Sequence, residues 1–122
     1  MLSIFKYMKI IKDNITIEKL KELCKKGFFV NVLKAAVDID KKIMAVDAEV
    51  HAELMELLIK EEQSEPKNVW GINLVPFEED EKFIVFDSLI NLKPGLGNRT
   101  RGVESPEIRE KITNIVNALL KR

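Results

Sequence analysis

The sequence has very few residues that form covalent cross-links or bind metals. Among its 122 residues it contains one cysteine, Cys24, and one histidine, His51. A single cysteine excludes a disulfide within the chain, which is typical of proteins from a reducing compartment. One cysteine and one histidine are also too few for a structural zinc site. We therefore expect a cytoplasmic protein that holds neither a metal nor another cofactor.

Net charge and long hydrophobic runs are absent as well. The 20 basic and 20 acidic side chains cancel to a formal charge of zero, which argues against a strongly basic nucleic-acid binder. No apolar run approaches the roughly 20 residues that span a bilayer, and the N-terminus becomes charged too early for a signal peptide. We expect no membrane partner, whereas nucleic-acid binding and the oligomeric state stay open.

The remaining composition is that of one folded domain. Hydrophobic residues make up 46% of the chain, enough for a core in a domain of roughly 100–150 residues. No internal repeat, low-complexity tract or flexible linker divides the sequence. Because translation could start at Met8, we expect a single domain over 8–122 that is preceded by an extension at 1–7.

Three segments carry helix signals. Thr16 as an N-cap and Gly27 as a stop predict a first helix between them. An apolar stripe at helical spacing predicts a second helix over 48–62. Ser105 followed by Pro106 is typical of a helix start, so we expect the last helix to begin there.

Strand patterns occur over 7–12, 69–75 and 82–92. The third pattern is the clearest, because apolar residues alternate onto both of its faces, which is typical of a central strand. Such a strand places Asp87 and Asn91 on the same face.

Residues 30–47 allow two interpretations. Apolar residues at helical spacing fit one long helix that continues to Ile59. Alternation over 36–40, followed by a returning strand at 43–46, favours a hairpin instead. With the hairpin, the element order is β-α-β-β-α-β-β-α, and the fold is a single α+β domain with a small mixed or antiparallel sheet and about three helices. In the alternative, a long helix replaces the central hairpin.

The loop 94–102, which we call the Gly/Arg loop, is the strongest candidate for a binding site. It contains three glycines and two arginines, Arg99 and Arg101. Glycines let backbone N–H groups approach an anion, and arginine side chains suit phosphate or carboxylate. With Asn98, these residues predict an anion site. The simpler interpretation, which the pattern slightly favours, is a solvated turn.

His51 is the second candidate, because it is the one side chain with an ordinary pKa near neutrality. An acid–base role becomes possible if the segment around His51 is still extended, because Glu49, His51 and Glu53 then lie on one side of it. Separately, Asp87 could face Arg99 or His51 in a polar pocket. The simpler interpretation, which we favour, is a structural histidine at the start of a helix.

Polar residues inside the apolar strand patterns are the third candidate. Asn73 and Asn91 would need hydrogen-bond partners if buried, and with the neighbouring Trp70 they could line a ligand pocket. The alternative is that they fix the strand register through internal hydrogen bonds.

Four short motifs connect these candidates along the chain. They are Val37-Asp38-Ile39, Glu49-Val50-His51-Ala52-Glu53, Trp70-Gly71-Ile72-Asn73 and the run from Asp87 to Pro94 that leads into Gly97-Asn98-Arg99. In these motifs the chain resembles a family of small, mostly bacterial proteins catalogued only as a domain of unknown function. The resemblance implies a fold and no activity. Similar proteins have a glycine pair where this chain has Asp47-Ala48, which favours the hairpin, and an arginine in place of Lys93.

Two functions fit these residues. The first is a small cytoplasmic domain that binds an anionic ligand, either a phosphate-containing small molecule or a nucleic-acid backbone, through the Gly/Arg loop. The alternative is a small hydrolase-like enzyme with His51 as acid or base, Asp87 as its orienter and Arg99 as the charge stabiliser. A protein-interaction domain has no positive motif and is the default if both hypotheses fail.

Overall fold

The computed structural model describes residues 7–122, so residues 1–6 of the predicted extension lie outside the described part. The helices of the described part are α1 (Ile17–Lys26), α2 (His51–Glu62) and α3 (Pro106–Leu119). Its strands are β1 (Lys9–Ile11), β2 (Ile15–Thr16), β3 (Leu33–Asp38), β4 (Ile43–Val46), β5 (Val69–Leu74), β6 (Ile84–Val85) and β7 (Leu120–Lys121). The predicted α+β order is confirmed, with the short strands β2 and β7 in addition.

Local hydrogen bonds define the helix starts. The hydroxyl groups of Thr16 and Ser105 accept backbone N–H groups three residues further on, at 3.1 and 3.2 Å, so both predicted N-caps are confirmed. The second helix begins at His51 rather than at residue 48, because the backbone is still extended at Val50. Within residues 7–122, no helix is long and apolar enough to cross a membrane.

The central sheet has five strands in the order β1-β4-β3-β5-β6, and each neighbouring pair is antiparallel. β3 and β4 form the predicted hairpin, which excludes the long helix. The Asp38 carboxylate stabilises the turn by accepting the N–H groups of Asp40 and Lys41 at 2.9 and 3.0 Å. After β4, Asp47 has a φ of 78°, a conformation that glycine adopts without strain, at the place where the family resemblance implied a glycine pair.

Helices cover both faces of the sheet. On one face, α1 and α3 pack on a core that contains Leu20, Trp70 and Ile112. On the other face, Leu54 and Leu58 of α2 pack against the small residues of the hairpin strands. Each fully buried leucine or isoleucine contributes about 1.5–3 kcal/mol to this arrangement of a sheet between two helical layers.

The predicted long strand over 82–92 is wrong. Only Ile84–Val85 form a strand, β6, and it lies at the edge of the sheet rather than in its centre. The chain wraps around this edge, so that Phe83 packs in the core beneath α1 and α3 whereas Ile90 packs against the core beneath α2. The segment is therefore apolar at alternating positions because its residues contact the cores on both sides of the sheet, and not because it is a central strand.

Candidate functional site

Five polar side chains converge where α2 begins, on the face of the sheet that α2 covers. We call them the polar cluster: Lys34, His51, Asn73, Asp87 and Arg101. Lys34 and Asn73 are register partners on β3 and β5. Asn73 Nδ2 donates to the Asp87 carbonyl at 3.3 Å, and Arg101 Nε donates to the Asp87 carboxylate at 2.7 Å. The structure thus brings together four of the residues that were candidates from sequence.

His51 is oriented by the backbone of β5. Its Nε2 lies 2.8 Å from the carbonyl oxygen of Ile72. Because a carbonyl only accepts, Nε2 carries the proton of the neutral ring and Nδ1 has the free lone pair. Burial lowers the pKa of His51 below its ordinary value; the hydrogen bond to Ile72 and the charge of Asp87 oppose this shift, whereas Lys34 and Arg101 add to it. At pH 7 His51 is a neutral acceptor.

Asp87 faces Arg101, and not His51 or Arg99 as the sequence interpretation had it. Both side chains of this ion pair are about half exposed, at 50% and 55%, so the pair itself stabilises the fold by only about 0–1 kcal/mol. Its main effect is geometric, because it fixes the Nε edge of the Arg101 guanidinium. Asp87 and Asn91 do not share a strand face, since residues 89–91 form a 3₁₀ turn.

Asn98 organises the Gly/Arg loop from within. Its buried side-chain amide donates to three backbone carbonyls, and its Oδ1 accepts the N–H of Glu104 at 2.8 Å. The three carbonyls are those of Asn91, Thr100 and Gly102, at 2.7, 3.2 and 2.8 Å. With both ends of its amide bonded to backbone, Asn98 holds the loop in one conformation.

Most backbone N–H groups of this loop have internal acceptors. They are the N–H groups of Leu96, Gly97, Asn98, Arg99 and Gly102. These N–H groups are thus already bonded to oxygen atoms of the protein, whereas the sequence analysis expected them to bind an anion. An anion at this loop would depend on the arginine side chains.

Asn91 replaces the missing length of strand β6. Its Oδ1 accepts the N–H of Gly71 at 2.7 Å, and its Nδ2 donates to the carbonyls of Gly71 and Arg101, both at 2.9 Å. The segment can approach this closely because Gly71 lacks a Cβ, which would lie 2.5 Å from Ser88. Asn91 thereby anchors the backbone of Arg101 to β5.

The other candidates lie apart from the polar cluster. Trp70 is only 1% exposed and belongs to the core on the opposite face of the sheet. Lys93 Nζ lies 5.1 Å from its ring centroid and donates to the carbonyls of Pro66 and Ile90, and burial lowers the pKa of Lys93. Arg99 is exposed, and within residues 7–122 its guanidinium has no ion-pair partner.

Lys34 is the one member of the polar cluster that the sequence interpretation missed. The strand was expected to start at residue 36, whereas β3 starts at Leu33. Lys34, Ala36 and Asp38 are each two residues apart on β3 and therefore lie on the same face. A predicted strand that began two residues earlier would have placed Lys34 on the face that α2 covers.

The chemistry available at the polar cluster is that of a binding site with a net positive charge. Lys34 and Arg101 supply two cations, Asp87 supplies one carboxylate, and His51 is neutral at pH 7. In the described part of the chain, no three His, Cys, Asp or Glu side chains are grouped so that they could hold a metal ion.

Comparison with known proteins adds the family. No curated relative and no solved structure matches this sequence. A family profile described as a protein of unknown function, DUF5674, matches residues 9–119, a range that contains every element of the central sheet and the whole polar cluster. The chain therefore belongs to this family of unknown function, as its four sequence motifs had suggested.

Proposed function

We propose that this protein binds a small anionic ligand, and that a phosphate monoester fits the polar cluster best. The observation that carries the proposal is the fixed position of Arg101. Its carbonyl accepts hydrogen bonds from Asn91 and from the N–H of Ser88, and its Nε is bonded to Asp87. The terminal guanidinium nitrogens remain without a hydrogen bond in residues 7–122, so they can donate to a phosphate side by side.

Lys34 and His51 complement that guanidinium. Lys34 is the register partner of Asn73, and His51 is bonded to the carbonyl of the preceding residue, Ile72. The positive charge of Lys34 also lowers the pKa of His51. The monoanion of a phosphate monoester has two unprotonated oxygens, which share one negative charge and can face the cations, and one hydroxyl group that can donate a hydrogen bond to Nδ1 of neutral His51. Arg99, in the same loop, adds a further exposed cation. A nucleic-acid backbone presents phosphodiesters, whose two unesterified oxygens can meet the same cations but which have no hydroxyl group for Nδ1. A cytoplasmic setting is part of this proposal, because Cys24 is a free thiol.

The hydrolase-like alternative has less support from the geometry. It needs Asp87 as the orienter of His51 and Arg99 as the charge stabiliser. His51 is instead oriented by the neutral Ile72 carbonyl, and the charges that act on its pKa are those of Lys34, Asp87 and Arg101.

Calorimetric titration and thermal unfolding with inorganic phosphate, at constant ionic strength, test the proposal. We expect saturable binding and a rise in Tm, with a stabilisation of about 2.7 kcal/mol when phosphate is at 100 times its Kd. The double variant Lys34→Gln, Arg101→Gln should lose both effects. The matched control is Lys19→Gln, Lys26→Gln, which removes two cations that pair with Glu22 on α1, the helix on the other face of the sheet. The proposal fails if wild-type protein shows no saturable response, or if the two double variants respond alike.

A further inference from the structure

We infer that the anionic ligand is a nucleotide, whose base stacks on Phe29 while its phosphate lies at the polar cluster. This inference rests on the proposed function and extends it to a substrate class. The link between the two regions is Lys34, because its Nζ lies 4.9 Å from the centroid of the Phe29 ring and its charge also reaches His51. One side chain therefore borders both an anion site and an exposed aromatic ring.

The turn between α1 and β3 holds aromatic rings at the surface. Phe28 and Phe29 are 53% and 41% exposed, and their centroids lie 6.3 Å apart. Val30 has a φ of 41°, a left-handed conformation that is unfavourable for a β-branched residue. Its carbonyl accepts a hydrogen bond from the Cys24 thiol at 3.0 Å, and an isolated antiparallel β-bridge pairs the backbones of Phe29 and Val32. These contacts fix an exposed aromatic turn whose backbone is strained.

A nucleotide matches this combination of groups. A planar base gains free energy by stacking on an exposed aromatic side chain, and the phosphate joined to it through a sugar needs cations a short distance away. The ammonium group of Lys34 lies against the Phe29 ring, and its register partner is Asn73 of the polar cluster, so Lys34 can bind the phosphate of a nucleotide whose base stacks on Phe29. An exposed apolar turn alone would also fit a protein surface or a lipid surface. A protein surface does not require the neighbouring phosphate-binding groups, and a lipid headgroup has a phosphate but no planar base to stack on the ring.

The chain offers a matched control for the ring. Phe77 is 45% exposed and lies beneath two lysines, Lys21 and Lys25, each 5.7 Å from its centroid. Those lysines belong to α1, which packs on the opposite face of the sheet from the polar cluster. Phe29 and Phe77 are therefore similar in exposure and charge but differ in their access to the proposed phosphate site.

The experiment compares ribose 5-phosphate with adenosine 5′-monophosphate by calorimetric titration, since the two ligands share the sugar phosphate and the nucleotide has a base in place of the anomeric hydroxyl group. For wild-type protein we expect the nucleotide to bind about tenfold more tightly, because stacking on one aromatic side chain typically gives a difference of this order. Phe29→Leu should remove the difference and leave ribose 5-phosphate binding intact, whereas Phe77→Leu should preserve it. Circular dichroism of each variant checks that the fold is retained.

The possible results separate the two proposals. Equal affinities for both ligands in wild-type protein, or an unchanged difference in Phe29→Leu, would overturn the nucleotide inference and leave phosphate binding standing. If neither ligand binds, the proposed function fails and the inference fails with it. A short single-stranded oligoadenylate in the same titration distinguishes a free nucleotide from a nucleic-acid strand. The inference is supported if the nucleotide or the oligoadenylate binds more tightly than ribose 5-phosphate and Phe29→Leu removes this difference.

Discussion

Replacing Asn91 by alanine tests how the candidate site is built. The substitution removes three hydrogen bonds, from the Gly71 N–H and to the carbonyls of Gly71 and Arg101. The Arg101 carbonyl keeps the N–H of Ser88 as a partner at 2.9 Å, so two polar groups, both on Gly71, are left without one. An orphaned buried backbone group costs about 1–3 kcal/mol. We therefore expect Asn91→Ala to lower the free energy of unfolding by about 2–6 kcal/mol, about 1–3 kcal/mol for each of the two groups.

Urea denaturation followed by circular dichroism measures this loss. A domain of this size has an unfolding free energy of about 5–15 kcal/mol, so the variant should remain folded in the absence of urea when the wild-type protein is more stable than the expected loss. Asn114→Ala is the control, because the side chain of Asn114 on α3 makes no hydrogen bond in the described part of the chain; we expect it to change stability by no more than about 0.5 kcal/mol. A loss below about 1 kcal/mol for Asn91→Ala, with an unchanged urea dependence, would refute the view that this side chain replaces a strand.

Two further stability measurements address neighbouring features. Gly71→Ala should destabilise the fold by about 1–3 kcal/mol, because the new Cβ would lie 2.5 Å from Ser88. Ser88→Gly in the same chain should restore part of the lost stability. Additive effects of the two substitutions would show that the new Cβ does not clash with Ser88. His51 should make stability depend on pH: since folding lowers its pKa, the unfolded chain takes up the proton first as the pH falls. Stability should then be full above about pH 6.5, fall as the pH drops to the lowered pKa, and level off below it. The total loss is about 1.4 kcal/mol for each pH unit that separates the pKa of His51 in the folded chain from that in the unfolded chain. Urea denaturation between pH 8 and pH 5 checks this, and parallel curves for wild type and His51→Gln would show that the assignment is wrong.

The helices could be predicted because their signals are local. The caps at Thr16 and Ser105 depend on residues three positions away, and the apolar stripe of α2 lies within one segment. The hairpin could be predicted for the same reason, since its strands are joined by a turn that Asp38 stabilises.

The segment 82–92 could not be predicted because its conformation depends on distant residues. Alternating apolar residues are typical of a strand, yet Asn91 bonds to Gly71, 20 positions earlier in the chain. The close approach at Gly71 leaves room for a turn at residues 89–91 where a strand would otherwise pair. No local pattern distinguishes an apolar run that crosses a sheet edge from one that is buried in the sheet centre.

For the candidate site, the sequence predicted which residues would be involved better than it predicted the partners to which they bond. Asp87 and Arg101 were expected to serve different partners, and they bond to each other. Asn91 and Asn98 were candidates for ligand contact, but their side-chain amides are bonded to the protein's own backbone. An asparagine that binds a ligand and one that holds a loop have the same local sequence pattern, and only the three-dimensional contacts separate them.

The orientation of His51 bears on the choice between binding and catalysis. A general base must accept a proton and carry the resulting charge in the transition state. Here Nε2–H of His51 donates a hydrogen bond to a neutral carbonyl, and Asp87 is paired with Arg101. Burial together with the charge of Lys34 disfavours the imidazolium form of His51. An anion bound beside Nδ1 would reverse part of that effect, because its negative charge would raise the pKa of His51 again. By linkage, protonation of His51 must then strengthen anion binding by the same factor. The cluster is thus better suited to hold an anion, with an affinity that increases as the pH falls, than to activate a nucleophile at neutral pH.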